Sequence, residues 1–336
     1  MLKYGIIGFG GLGKVHYGNT DALKEIHNDV QLVAICDIRE TQFTTRTATN
    51  LGEDNSSLDF SAYNLYYDAD EMLEKEQLDF VIIALPTYLH DVYAIKAMDK
   101  GIHVFSEKPM AISLEKGKAM VAKAQEKGLK LMIGQCLRFW PEYTMLKELI
   151  DSKKYGNVVR AEFNRISVTP LWSWENWYMD ADKSGGAALD MHVHDMDFIN
   201  YAFGKPASVT SVTTNHVSVH DAITTFYNYG DKVVIATGDW QQPSGEYPFT
   251  YNFRVRFENA TVEMKNGEFV IYTAENGAEK IAVPAGDAYL SEVADFVSCI
   301  KEDRESTINP ATSTLVTLEM AFAEKKSADT KTTVEL

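Results

Sequence analysis

The chain opens on a short apolar run, Tyr4 to Ile7, that leads straight into Gly8-Phe9-Gly10-Gly11-Leu12-Gly13. This is G-x-G-x-x-G at the end of a candidate strand, and few turns constrain a fold so tightly. A second apolar run, Leu32 to Cys36, ends in Asp37, 24 positions after Gly13. Gly8 allows a tight turn, Gly10 lets the loop backbone approach a pyrophosphate, and Gly13 lets the next helix pack close to the strand. The N-terminus of that helix offers N–H donors and the positive end of its dipole to phosphates. Asp37 would accept hydrogen bonds from a ribose 2′-hydroxyl and repel a 2′-phosphate, with Arg39 placed to soften that repulsion. The spacing therefore predicts a dinucleotide site over residues 8–13, with NAD expected ahead of NADP. The alternative is a glycine-rich βα turn that binds nothing.

The first third of the chain alternates apolar runs with helical patterns. Strands are expected at 3–8, 31–37, 79–85, 102–106 and 129–134, and helices at 12–27, 40–51, 69–77, 88–100 and 113–127. Continuous apolar strands alternating with helices argue an α/β domain, a doubly wound parallel sheet covered on both faces. Ligands bind at the carboxyl ends of such strands, where Gly8, Asp37, Pro86 and Glu107 fall. Thr87 and His90 follow Pro86 and are expected near the same cofactor, a plain helix-surface histidine being the alternative for His90.

From about residue 157 runs rich in Val, Thr, Tyr and Phe replace this alternation, with turn signals at Gly230-Asp231, Asn266-Gly267 and Asn276-Gly277. Eight strands between 157 and 283 and helices near 185–203, 287–302 and 311–327 are expected: an α+β domain with a large, mostly antiparallel sheet. The division is placed near residue 123, giving domains 1–123 and 124–336.

With 32 Lys and Arg against 48 Asp and Glu, the formal charge is −16. There is no basic stripe, so no nucleic-acid partner is expected, and an acidic surface disfavours anionic membranes. No apolar stretch approaches the roughly 18–20 residues that span a bilayer. Three scattered cysteines, Cys36, Cys136 and Cys299, suit a reducing compartment, and a cytoplasmic location is expected.

Two clusters carry candidate chemistry. Glu107-Lys108-Pro109 follows the strand ending at Ser106. Lys108 could donate to a substrate oxygen or steady charge beside the cofactor, and Pro109 suits a cis bond. An exposed Lys-Pro turn is the alternative. The second cluster is Gly185-Gly186 followed by Asp190, His192, His194 and Asp195. On one helix, Asp190 and His194 stand at i and i+4 on a shared face, and a carboxylate beside an imidazole suits a general base. A buried, satisfied histidine is the alternative for either His. A rival takes His192-x-His194 as metal ligands, but Gly-Gly before Ala-Ala-Leu-Asp reads as a helix start, and no metal is expected. Arg138 with Trp140, and Trp174 within an aromatic-rich stretch, could stack on or bind a sugar; packing is the alternative.

On Gly8-x-Gly10-x-x-Gly13, Asp37, Pro86-x-x-x-His90, Glu107-Lys108-Pro109 and Gly185-Gly186 with Asp190-x-x-x-His194-Asp195, the chain resembles the Gfo/Idh/MocA oxidoreductases, relatives of glucose–fructose oxidoreductase and inositol dehydrogenase. The resemblance runs essentially the whole length. It implies an N-terminal Rossmann domain and a C-terminal open-faced sheet often used for oligomer contacts. It implies hydride transfer between NAD(H) and a secondary alcohol or ketone of a sugar, sugar derivative or cyclitol, with Lys108, Asp190 and His194 as the catalytic trio. His192 stands where many relatives carry a small residue. Three rivals stay open: a non-redox enzyme using tightly held NAD transiently, a metal hydrolase, and a cofactor-binding regulator. A strand-rich second domain with few helices to cover it predicts a homodimer or homotetramer through that sheet.

Overall fold

A computed structural model describes residues 1–44, 59–243, 246–265 and 267–336, with the backbone alone of Ala48–Thr49 and Gly52–Glu53. The chain divides into two compact units: Met1–Gln135 with Asp287–Leu315, and Cys136–Gly286 with Val316–Leu336. Residue 123, where the sequence suggested a division, lies inside a helix of the first unit.

The first unit is built on six parallel strands: β1 (Leu2–Ile7), β2 (Val30–Cys36), β3 (Asn64–Tyr66), β4 (Phe80–Ile83), β5 (His103–Glu107) and β6 (Leu131–Gly134). Their order is β3-β2-β1-β4-β5-β6. The chain runs outward from β1 on one side, then crosses back to build the other, so the order reverses beside β1. Clefts for ligands open at that reversal, beyond the carboxyl ends of the strands. Tyr4, Ile6, Ile35, Phe80, Ile82 and Phe105 are buried because both faces of the sheet are covered. β3 escaped the sequence reading: it is a three-residue edge strand with no apolar run of its own.

The helices α3 (Ala69–Lys75), α4 (His90–Asp99) and α5 (Leu114–Lys127) fall within the expected stretches, while the stretch expected at 12–27 holds two helices, α1 (Gly11–Gly18) and α2 (Thr20–Ile26), the first starting one residue early. Local chemistry sets several ends. The Asp68 carboxylate accepts from the N–H groups of Asp70 and Glu71 at the start of α3, and Gly128 closes α5 at φ +65°. Where a helix was expected over 40–51, the described residues show one 3₁₀ turn over Glu40–Phe43 and Ala48–Thr49 paired antiparallel with Gly52–Glu53. The rest of that segment, to residue 58, lies outside the described residues.

Among the described residues the second unit carries nine strands: β7 (Val158–Val168), β8 (Ser208–Thr214), β9 (Ala222–Asn228), β10 (Val233–Gln242), β11 (Thr250–Phe257), β12 (Ala260–Lys265), β13 (Glu268–Thr273), β14 (Gly277–Ile281) and β15 (Val334–Glu335). Their order is β14-β13-β12-β11-β7-β10-β9-β8-β15. Only β7 and β10 run parallel; the other pairs are antiparallel. Alternation is regular, with Phe163, Ile223, Tyr227, Val234, Phe253 and Val255 on the buried face. The opposite face exposes Val212 and Phe226. The helices of this unit are α6 (Pro141–Ser152), α7 (Ala181–Ser184), α8 (Gly186–Asp190) and α9 (Val193–Phe203).

Helix α10 (Ala288–Lys301) follows the last long strand in sequence but belongs to the first unit. Phe296 explains why: its ring packs edge-on against Phe80 at 5.7 Å and Phe105 at 5.9 Å, beneath the parallel sheet. Helix α11 (Ala311–Thr330) follows, and the division between units falls inside it. Phe296→Ala should therefore cost the first unit about 3–5 kcal/mol, read as a lowered urea midpoint. An unchanged midpoint would place this helix outside that core.

Candidate active site

In the first unit the glycine turn has the contacts its spacing predicts. Gly8 sits at φ +92°, and a Cβ there would lie 2.4 Å from the Ala84 carbonyl oxygen. A Cβ on Gly13 would lie 2.0 Å from the Gly8 carbonyl oxygen, so only glycine lets α1 come this close to the turn. A Cβ on Gly10 would meet nothing within 4 Å. The backbone of Gly10 thus borders open space at the N-terminus of α1, a cradle suited to an anionic diphosphate.

Asp37 is buried at the end of β2 and already bound on both oxygens. Its Oδ2 accepts from the Phe9 N–H at 2.9 Å, and Oδ1 accepts from the Arg39 N–H at 2.9 Å. The Arg39 guanidinium stands 3.4 Å from Oδ1. The carboxylate therefore ties the glycine turn to the strand end, a role the sequence did not reveal. Oδ2, which accepts from the Phe9 N–H, has a second lone pair that could meet a ribose hydroxyl. The Phe9 ring turns inward and packs on Phe43, Phe60 and Tyr17. Gly11 and Leu12 begin α1.

Glu107 ends β5 and Lys108 follows it. The Glu107 carboxylate is buried, 2.8 Å from His16 Nε2 on α1, and it accepts from the Lys108 N–H at 3.2 Å. It fits because Gly134 on β6 lacks a side chain: a Cβ there would lie 3.1 Å from Glu107 Oε2. His16 was missed by sequence reading, although Gly13-Lys14-Val15-His16 places it one turn into the helix. The Lys108–Pro109 peptide is cis. His90 is fully buried, with Nδ1 2.8 Å from the Pro109 carbonyl oxygen and Nε2 2.7 Å from that of Leu85. It is not a surface histidine; it links the loops that follow β4 and β5. Burial lowers its pKa, working against the two carbonyls, which favour the cation. Pro86 leads into a 3₁₀ turn over Thr87–Leu89, and the Thr87 side chain is buried.

In the second unit the Gly-Gly pair is also demanded by geometry. Gly185 and Gly186 sit at φ +77° and +74°, and a Cβ on Gly186 would meet the Val219 carbonyl oxygen at 2.1 Å. The single helix expected over 185–203 is broken. Helix α8 ends at Asp190 and α9 starts at Val193. Asp190 and His194 therefore lie on successive helices, with Met191 and His192 between them still in the right-handed helical region. At this joint the His192 side chain is buried and directed at Glu324 on α11, its Nε2 3.1 Å from Oε2.

His194 is half-buried, with Nδ1 3.9 Å from the Cys136 sulfur. Its neighbours on α9 are anchored. Asp195 accepts from Arg165 Nε at 2.8 Å and Nη2 at 3.2 Å. Burial opposes the Arg165 charge, but Asp195 outweighs it and raises the pKa. Burial and the same carboxylate push the Tyr143 phenol well above its usual range. Asp197 accepts two 2.7 Å bonds from Arg138. Arg138 was expected at the substrate, but its side chain is completely buried in this bidentate pair. Losing one partner of such a pair strands a buried charge at about 3–5 kcal/mol. Trp140 is half-buried, its ring 6.3 Å from Tyr251. Trp174 is half-buried in an irregular segment where Glu175 and Asn176 adopt positive φ. His192 and His194 take separate partners, and among the described residues no three His, Cys, Asp or Glu side chains gather to hold a metal ion.

Comparison with known proteins follows the same division. Residues 2–135 match the oxidoreductase family model with an NAD-binding Rossmann fold, and residues 143–263 match the Gfo/Idh/MocA C-terminal domain. The scyllo-inositol 2-dehydrogenase (NAD(+)) of Bacillus subtilis is 27% identical over 277 residues, 77% of this chain and 78% of that protein. The 2,7-anhydro-N-acetylneuraminate hydratase of Mediterraneibacter gnavus is 31% identical over 151 residues, 45% of this chain and 40% of its own length. A solved levoglucosan dehydrogenase, in complex with NADH and levoglucosan, shares the fold at a TM-score of 0.85, with 19% identity and 99% of each chain covered. With both units matched by models of one family, the chain belongs to the Gfo/Idh/MocA oxidoreductases, and its first unit is their NAD-binding Rossmann domain.

Proposed function

We propose that this chain is an NAD(H)-dependent dehydrogenase that interconverts a secondary alcohol and a ketone on a sugar, sugar derivative or cyclitol. The observation that carries the reading is the open cradle at Gly10, framed by a turn that only glycine permits at positions 8 and 13 and ending beside Asp37. Gly8–Gly13 would hold the diphosphate and Asp37 the adenosine ribose. Pro86, Glu107 and Lys108, at the ends of β4 and β5, would border the nicotinamide end. When bound, NAD supplies the hydride acceptor or donor. The chain's own residues supply the rest.

His194 takes the proton of the reacting hydroxyl on its imidazole in the oxidative direction and returns it in reduction. Lys108 donates from Nζ to the reacting oxygen and stabilises negative charge as it develops. Asp190 orients substrate and imidazole. The first unit then serves the cofactor, and the second unit serves the substrate and assembly. The hydratase among the relatives supports a second reading, in which NAD is held and regenerated within each turnover. Net formation of NADH at 340 nm, with scyllo-inositol, myo-inositol, glucose and levoglucosan offered in turn, separates the two.

Assembly follows from the second sheet. On its exposed face Phe226 lies opposite Thr210 on β8 and Ile235 on β10, with Val212 beside them. A second copy stacked on that face would bury these side chains in a homodimer or homotetramer. A cytoplasmic location fits three buried cysteines that form no disulfide.

Three outcomes check this reading. NADH should bind more tightly than NADPH by fluorescence titration, and Asp37→Ser should narrow the gap chiefly by weakening NADH, because the tie to Phe9 is lost as well; tighter NADPH binding in the native protein would sink the cofactor assignment. His194→Ala should lower kcat by about 10²–10⁴ with NADH affinity nearly unchanged, and Lys108→Ala should also depress kcat strongly. Turnover near normal in either variant would remove that residue from the mechanism. Light scattering should give an oligomer at micromolar concentration that Phe226→Glu dissociates; a monomeric native protein refutes the assembly.

A further inference from the structure

The joint between α8 and α9 carries a residue that the proposed mechanism leaves unused. His192 is completely buried, as is Glu324 on α11, and His192 Nε2 stands 3.1 Å from Glu324 Oε2. Tyr227 on β9 places its hydroxyl 3.3 Å from the same nitrogen. Thr225, two residues earlier on β9, donates to Glu324 Oε2 at 2.8 Å and shares a 2.7 Å bond with Ser211 on β8. The other ring nitrogen of His192, Nδ1, is buried and has no hydrogen-bond partner. A proton on Nδ1 would be stranded there, so the arrangement selects the tautomer with Nε2–H donating to the carboxylate. Space for the ring comes from Gly238 on β10, where a Cβ would lie 2.7 Å from His192 Cβ.

The backbone records the effect. The N–H groups of Met191 and His192 both bond the Ala187 carbonyl, at 3.1 and 2.8 Å, and the helix restarts with Met196 N–H on the His192 carbonyl at 3.2 Å. His192 is thus the pivot of the break: two residues back the chain carries Asp190, and two residues on it carries His194. Arg165 and Arg138 hold α9 further along, through Asp195 and Asp197.

We propose that His192 is a positioning residue: its Nε2–H bond to Glu324 fixes the α8–α9 joint and thereby sets the direction in which His194 presents its imidazole. The proposal rests on the reading of His194 as the general base. It assigns a buried hydrogen bond, reaching to α11, control over the orientation of a group at the joint, and a misplacement of about 1 Å at a catalytic group can cost roughly 10²-fold.

The test uses two amides. The Gln side-chain nitrogen falls where Nε2 of histidine lies and can reach Glu324. The Asn nitrogen falls where Nδ1 lies and cannot. His192→Gln should retain most of the turnover. His192→Asn should lower kcat about 10–100-fold, with NADH affinity and KM little changed, on the best substrate of the sugar and cyclitol panel. A readout without substrate accompanies this: in ¹⁵N-histidine-labelled protein, the ring signals of His194 should move in His192→Asn and stay in His192→Gln. Equal turnover and unmoved His194 signals in both variants overturn the proposal. Normal turnover in His194→Ala overturns the general-base reading instead, and the ring signals then decide the positioning role alone. If His192→Asn does not fold, the isosteric Thr225→Val, which removes a donor to Glu324, should move the His194 signals in the same direction by less; unmoved signals there overturn the proposal as well.

Discussion

The backbone of α1 lies so near the glycine turn that a methyl group on Gly13 would clash with the Gly8 carbonyl oxygen at 2.0 Å. Much of the first unit's site depends on that approach. It brings the N-terminus of the helix to the end of β1, where the Phe9 N–H meets Asp37 and Gly10 borders open space. One turn later it brings His16 to the Glu107 carboxylate at the end of β5. Three strand ends and one helix are thereby cross-linked by two buried carboxylates. In low-dielectric surroundings such bonds are strong when complete and costly when broken, so the loops that would face a cofactor are held rigid. His90 adds a further tie, between the loops after β4 and β5.

The second unit meets a similar demand differently. A short helix that must present a half-buried histidine cannot rely on propensity, because isolated helices of this length are marginal. Helix α9 is held instead by polar side chains driven into the core. Asp195 and Asp197 each pair with a buried arginine, and His192 meets Glu324 just before the helix begins. Each pair is fully desolvated, and its worth lies as much in excluding other orientations as in stability, since buried pairs are poor stabilisers by net energy. The arginine expected at the substrate, Arg138, belongs to this framework. Of the two readings the sequence left open for Arg138, sugar contact or packing, its buried pair with Asp197 favours the second.

The failures of sequence reading share a cause. Strands β1, β2, β4, β5 and β6 were legible because parallel strands covered on both faces are continuous apolar runs. Strand β3 was not, because an edge strand of three residues needs no such run. The helix expected over 40–51 had suitable composition, but composition does not exclude competing local pairings. The stretch 185–203 had helical periodicity throughout, and periodicity contains no sign that the helix is interrupted at Met191-His192 or that His192 meets a carboxylate more than a hundred residues away. Likewise, α10 is adjacent in sequence to the antiparallel strands but carries Phe296, whose partners Phe80 and Phe105 lie far upstream.

What the sequence determined by itself was local. It specified the glycine turn, the acid that closes β2, the Glu107-Lys108-Pro109 corner and the Gly185-Gly186 pair. At Gly8, Gly185 and Gly186 the positive φ favours glycine whatever surrounds it, and at Gly13 the motif itself sets the close approach. It also determined the alternation that separates a parallel sheet from an antiparallel one. Only the tertiary structure decided which polar side chains face ligands and which brace the core. Arg138 and His90 differ from exposed residues of their type in nothing but what the folded chain brings beside them: Asp197 59 residues away for one, two backbone carbonyls for the other. A buried charge or ring nitrogen must find a partner or suffer its full desolvation cost, and those partners come from distant segments that no local pattern encodes.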